Sequence, residues 1–453
     1  MHLWKITAHL EIHSHTANQR RAAAMALRSD RKSILFCFSV LLLLSLAILF
    51  PASGLAQAGR GGVGFGGTAP AAPAPGAAPA PSIILYMGGK AYPLANPLLL
   101  RSGITYGPFG EIFTALGAEP GYIHHFNRLR VWAVLPGMEP LPEIQLLLEG
   151  GTEVFYLNNT IAALPAATFT HNGTLYFPLR FLLELCGYRL HWDRTGPENG
   201  PVRIHLFRSL AETLPPSIPF AFTRKACSVP VLLYHHLLPA AEHDGRNGAI
   251  VSVEDFQQQM DFLFKNGYHT VTLADLYLFI RGQKDLPERS VVITFDDGYR
   301  SNYDYAVPVL RQYRFRAVQF PITSHIENYH PWLPHMGWAL MAAAADVFEY
   351  HSHSHALHFY KGVRAAILVT PEDQLRKDLR LSRELLDCFA FAYPFGVWSH
   401  EAIRILQETG YKMAFTIRRG NIASGDNLFL LQRQIIHPTT TLRDFAKILG
   451  ENQ

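Results

Sequence analysis

Hydrophobic and polar positions give the chain three textures. Residues 33–50 read SILFCFSVLLLLSLAILF, an apolar run without a charge. From about Val229 onward, apolar β-branched runs alternate with amphipathic stretches. The runs at 229–234, 291–295, 317–322, 389–393 and 413–417 predict buried parallel strands. The stretches at 253–266, 273–282, 306–313, 371–386 and 399–410 predict helices between them. Strand–helix alternation on this scale predicts an α/β barrel or a doubly wound sheet. In a barrel the chemistry belongs at the carboxyl ends of the strands.

Between these regions, 83–208 holds an internal repeat. Ile104-Thr105-Tyr106-Gly107-Pro108-Phe109 runs on to Ala115-Leu116-Gly117, and seventy residues later Thr174-Leu175-Tyr176-Phe177-Pro178-Leu179 runs on to Leu185-Cys186-Gly187. Each unit predicts a short strand, a proline at a helix start, an amphipathic helix and a glycine stop. Strands at 130–134, 188–192 and 202–207 are predicted to follow. The pattern PLRFLLELCGYRLHWD resembles the copper amine oxidase N-terminal repeat domain, with Gly110 in the first unit where that pattern has arginine. The resemblance implies a smaller α+β binding or spacing module, with no copper: His124, His125, His171 and His191 lack ligand spacing.

A length of 453 residues suggests two or three domains. Lys+Arg of 40 against Asp+Glu of 36 leaves a net charge of +4, with no basic stripe, so nucleic acid is not an expected partner. Four cysteines without a CxxC pair argue against a disulfide scaffold and a thiolate zinc site. The apolar run at 33–50 follows Arg28, Arg31 and Lys32 and precedes Ala56-Gln57-Ala58. That arrangement predicts a secretion signal over 1–58, the alternative being an uncleaved membrane anchor. Met25 is a plausible true start. Residues 59–82, rich in Gly, Ala and Pro, predict a semi-extended linker. The expected location is outside the cell or at its surface.

Three motifs carry chemistry. Residues 291–299 predict a strand ending in Asp296-Asp297-Gly298, and two carboxylates at a strand end repel unless a divalent cation sits on one, leaving the other as base. In Glu349-Tyr350-His351-Ser352-His353-Ser354-His355-Ala356-Leu357-His358 the histidine density suits a metal, though spacing does not fix which two bind. His353 and His358, five apart, could meet only across a loop. Aspartate plus two histidines with open positions is a catalytic metal site. Tyr393-Pro394-Phe395-Gly396 ends a strand in an irregular turn whose N–H groups could receive an oxyanion.

VPVLLYHHLLP, TFDDGY, SHSHALH and AYPFG, in this order over residues 228–450, resemble the polysaccharide deacetylases (carbohydrate esterase family 4, the NodB homology domain), nearest the poly-N-acetylglucosamine deacetylases. The resemblance implies an irregular (β/α) barrel that releases acetate from an N-acetylglucosamine-containing polysaccharide, with the repeat domain available to engage the cell wall. It implies Asp296 as catalytic base. Asp297, His353 and His358 would be ligands of a divalent cation, Zn²⁺. Tyr393, Pro394 and Gly396 would line the groove, with the Phe395 N–H as oxyanion donor. His437 is the general-acid candidate, against a surface histidine. His235 would face substrate, or pack at the strand end. There are two departures. The motif arginine before Tyr393 is replaced by Phe391-Ala392, and Arg433 is either its substitute or structural. Ala356 stands where an aspartate is common. These departures leave a second reading open, a glycan-binding protein whose deacetylase domain has decayed.

Overall fold

The structure, a computed structural model, describes residues 83–87, 90–138, 141–193, 202–208, 221–327 and 333–451. The predicted signal and linker lie outside the described residues. In the C-terminal part eight parallel strands form one curved sheet: β1 Val231–Tyr234, β2 His269–Thr270, β3 Ser290–Asp297, β4 Ala317–Pro321, β5 Phe348–Tyr350, β6 Ala390–Ala392, β7 Met413–Arg419 and β8 Leu431–Ile435. The order across the sheet is β5-β4-β3-β1-β8-β7-β6, with β2 beside the start of β3. The two edges meet at a single parallel bridge between Ser352 and Phe391. There the Ser352 N–H donates to the Ala390 carbonyl (3.2 Å) and the Ala392 N–H to that of Ser352 (2.9 Å). The result is an irregular (β/α) barrel, and the closing bridge stands one residue before His353.

Every residue of β3 is buried, as expected of a parallel strand covered on both faces. Helices cover the outside. Val253–Lys265 begins at Ser252, whose hydroxyl accepts from the Asp255 N–H, and it buries Phe256, Met260, Leu263 and Phe264 on one stripe. Glu372–Leu386 buries Leu375, Leu379 and Ser382. The predicted helix at 306–313 starts with a π turn, Asn302–Ala306, before Val307–Tyr313. Cys186, Cys227 and Cys388 are free thiols.

The N-terminal part is the smaller α+β repeat domain. Its two units each form a hairpin leading into a helix: Leu99–Arg101 and Ile104–Pro108 into Phe109–Ala115, then Phe169–His171 and Thr174–Pro178 into Leu179–Leu185. The units pair antiparallel, with Phe177 opposite Gly107. Gly107 is closely packed: a Cβ there would lie 2.3 Å from Ile112 Cδ1, so a side chain would require Ile112 and Leu179 to shift. Between the units runs a five-stranded meander, Gly121–His125, Arg128–Met138, Leu141–Glu149, Val154–Leu157 and Thr160–Ala163. The sequence reading found only 130–134 of it, because Pro136, Gly137 and Pro142 interrupt the strand pattern.

This meander packs on the barrel domain. Val154, Ile161 and Ala163 share a buried cluster with Leu273 and Leu276. Arg130, 1% exposed, donates to the carbonyls of Tyr313 (2.6 Å) and Tyr268 (3.2 Å) and lies over the Phe264 ring. Glu149, also buried, faces Arg128, Arg130 and His269.

Candidate active site

The predicted chemistry gathers at the carboxyl ends of the strands. β3 ends in Asp296 and Asp297, and neighbours on a strand normally face opposite sides. Asp297 escapes that alternation by a φ of 71°, and Gly298 follows at 85°. A Cβ on Gly298 would lie 2.8 Å from Pro321, so the turn after β3 needs glycine twice over. Both carboxylates therefore reach one site.

Their environments differ. Asp296 accepts a bidentate pair from Arg433 in β8, Nη1 at 2.8 Å and Nη2 at 2.7 Å. Arg433 is fully buried, and its Nε donates to the Thr416 carbonyl at 3.0 Å. Burial alone would raise the Asp296 carboxyl, but Arg433, helped by His353, holds it down at about 2. Asp296 is thus a fixed carboxylate. Asp297 has no arginine, and its Oδ1 is buried without a hydrogen-bond partner. Burial and the charge of Asp296 push its carboxyl up to about 6, against the pull of His235 and a hydrogen bond from Tyr299.

That unpartnered oxygen faces two imidazoles. Asp297 Oδ1 lies 3.5 Å from His353 Nε2 and 3.4 Å from His358 Nε2. One ligand atom from each of the three residues falls within 4.8 Å of the others. His353 Nδ1 is 2.7 Å from the Ala392 carbonyl, which can only accept, so Nδ1 carries the proton and Nε2 offers a lone pair. Burial pushes His353 down to about 3 and lowers His358 as well, so both rings are neutral. A buried orphan carboxylate oxygen and two neutral imidazole nitrogens fit a divalent cation. Convergence of histidines five apart rests on Ser354, whose φ of 72° turns the loop. Asp378 accepts from the N–H groups of His355 and Ala356, both at 2.8 Å. That carboxylate, from another helix, braces the loop where Ala356 brings none.

Phe395 has a φ of 57°. The turn is closed by the Gly396 N–H on Tyr393 and the Val397 N–H on Pro394, and neither bond uses the Phe395 N–H. Its ring lies 4.3 Å from those of both His358 and Tyr360. Gly396 is required, since a Cβ there would lie 2.3 Å from Ile417 Cγ1.

Two expected groove residues are placed differently. Tyr393 is fully buried, with its hydroxyl on the Phe429 carbonyl at 3.1 Å, and Pro394 is buried too. They fix the turn from below instead of lining a groove, because the strand's alternation aims the tyrosine into the core. His235, half-buried past β1, acts electrostatically on both carboxylates. His437 is exposed, with Nδ1 3.3 Å from the Gly248 carbonyl, and lies outside the three-ligand cluster. His355 pairs with Thr323 at 3.0 Å, away from that cluster. The sequence reading missed Tyr299, Tyr360 and Asp378. Only Tyr299 carried a signal, as the last letter of TFDDGY.

Residues 283–414 match the Polysaccharide deacetylase family and residues 86–198 match the Copper amine oxidase N-terminal domain. The chain thus carries a polysaccharide deacetylase domain, a hydrolase of amide bonds, preceded by a copper amine oxidase N-terminal domain. The matched deacetylase span stops short of β8, so Arg433 lies beyond it. YxkH of Bacillus subtilis is 29% identical over 222 residues, 48% of this chain and 74% of that one. The poly-beta-1,6-N-acetyl-D-glucosamine N-deacetylase of Staphylococcus aureus is 26% identical over 196 residues, 41% of this chain and 67% of its own length. Among solved structures, IcaB from Ammonifex degensii is 25% identical, covers 50% of this chain and 97% of that one, and has a TM-score of 0.44.

Proposed function

We propose that the protein is a secreted or surface-held, Zn²⁺-dependent deacetylase of poly-N-acetylglucosamine, with the repeat domain engaging the polymer or cell wall. The observation that carries it is the unequal treatment of two adjacent carboxylates. Asp296 is paired at both oxygens with Arg433, while Asp297 keeps an unpaired oxygen toward two neutral histidine nitrogens.

Asp297, His353 and His358 would hold the cation, and two nitrogens with one carboxylate oxygen suit zinc. When bound, the cation supplies Lewis-acid polarisation of the acetamido carbonyl and makes water more acidic. Asp296, kept ionised and aimed by Arg433, accepts the proton of the attacking water. The Phe395 N–H donates to the oxyanion as the carbonyl carbon becomes tetrahedral. The C–N bond then breaks, and the amine leaves with a proton. His437 is the proposed acid, and its exposed position requires that substrate bring the leaving nitrogen to the rim. The products are acetate and a glucosamine unit. Secretion rests on the basic flank, apolar run and A-x-A of residues 1–58.

The test is acetate release from poly-N-acetylglucosamine, chitin oligomers and peptidoglycan, each with chelator and with restored Zn²⁺. Release from the first that chelator stops and Zn²⁺ restores is the expected result. No acetate from any polymer, with one equivalent of metal bound, would leave the decayed glycan-binding protein as the reading.

A further inference from the structure

The seventy-residue offset between the repeat units equates the hairpin 99–108 with 169–178, Gly110 with Arg180, and Tyr122 with Trp192. Because the units pair antiparallel, the hairpin of each meets the helix start of the other. This makes two related grooves with different fillings. In one, of about 500 Å³, the first hairpin faces Arg180 and Trp192. The Arg180 guanidinium lies 5.6 Å from the Trp192 ring centroid and reaches toward Glu184, so a side chain of the protein covers the aromatic face. In the other, of about 740 Å³, the second hairpin faces Gly110 and Tyr122. Glycine provides no cover. A Cβ at Gly110 meets nothing within 4 Å, and Tyr122 is 73% exposed.

The chemistry of the open groove is specific. Among the described residues that line it there is no Asp, Glu, Lys or Arg. His124, Asn127 and Thr170 share the lining with Tyr122 and offer donors and acceptors. Phe169 cannot serve as a second platform, because Arg101 lies 3.6 Å from its centroid and Tyr176 stacks on it. The strand alternation that turns Tyr122 and His124 to the groove packs a half-buried Ile123 against the barrel-domain core. The groove is therefore carried on a strand anchored to the catalytic module.

We propose that this groove is a glycan-binding site, in which the apolar face of a neutral pyranose stacks on Tyr122 as Arg180 stacks on Trp192. An exposed tyrosine suits such a ligand, which is apolar on one face and wet at its edges. The volume is that of a small-ligand site, about 300–1,000 Å³. With Arg101 folded onto Phe169 and no formally charged residue among the described lining, the groove favours a neutral ligand. Choosing an N-acetylglucosamine polymer among neutral glycans rests on the function proposed above.

The test compares full-chain wild type with Tyr122→Ala and Gly110→Arg. The arginine would rebuild the cover seen in the other groove, and both changes fall at positions with room. Retention on immobilised poly-N-acetylglucosamine should weaken at least tenfold in both variants. Their melting temperature, and their acetate release from oligomers too short to span both sites, should match wild type. Wild-type retention by both variants would overturn the groove. Tyr122-dependent retention only on cello-oligosaccharides would overturn the choice of polymer. Tyr122-dependent retention without any acetate release would uphold the groove while the deacetylase reading fails.

Discussion

The molecule buries an arginine against a carboxylate in two places, and the two pairs do different work. In the barrel, Arg433 spends its fork on one partner, Asp296, with good geometry at both nitrogens. At the module junction, Arg130 spends its donors on two backbone carbonyls of the neighbouring domain and stands 3.7 Å from Glu149. Glu149 takes its closest bond from Arg128 instead. The first pair aims one carboxylate and keeps it ionised. The second ties a strand of the meander to the helix end at Tyr313 and the loop at Tyr268 across a domain boundary. Desolvation taxes both, so neither is retained simply for stability. What each offers is placement, of the proposed base in one case and of a module in the other.

Breaking the barrel pair from the carboxylate side should have the largest effect. Asp296→Asn keeps the shape and removes the proton acceptor, so acetate release should fall by about 10²–10⁴-fold. Bound metal, measured by elemental analysis, should stay at one equivalent, because the proposed ligands are untouched. Breaking the junction should show in stability instead. Arg130→Met leaves buried Glu149 under-compensated and two carbonyls without donors, a loss of about 3–5 kcal/mol. Calorimetry should read it as a fall of roughly 10 °C in melting temperature, with short-oligomer turnover per folded molecule unchanged.

Arg433→Lys sharpens the comparison. A lysine keeps the charge but cannot make the fork. Activity should drop about 10–100-fold, as for other partners that orient a reacting group, while the melting temperature moves less than in Arg130→Met. The smallest effect concerns pH. His269 lies buried beside Glu149, and burial, with the nearby arginines and against the pull of Glu149, pushes it down to about 4. Between its ordinary value near 6.5 and about 4, the unfolded chain binds a proton that the folded chain refuses. Stability should therefore fall as pH drops through that window, by up to about 1.4 kcal/mol per pH unit. His269→Gln should flatten the slope of denaturation midpoint against pH.

The sequence by itself determined the alternation of buried strands and amphipathic helices, and hence a barrel or a doubly wound sheet, between which the family resemblance chose the barrel. It also marked the carboxylate pair at a strand end and the histidine-dense loop, because period and composition are local properties. It left open which histidines converge, since a turn at Ser354 and a bridge at Ser352 depend on strands forty residues apart. It left Arg433 ambiguous for the same reason: its partner lies 137 residues away, and only the neighbouring of β1 with both β3 and β8 brings them across the lumen. It put Tyr393 at the groove, where strand alternation in three dimensions buries it. It could not foresee Arg130 at the junction either. A basic residue in a strand reads as solvent-facing until the second domain supplies the carbonyls that take its donors. Local pattern fixes elements and candidate groups, while the pairing of distant polar atoms is decided only when the packed chain excludes water and each buried donor must find an acceptor.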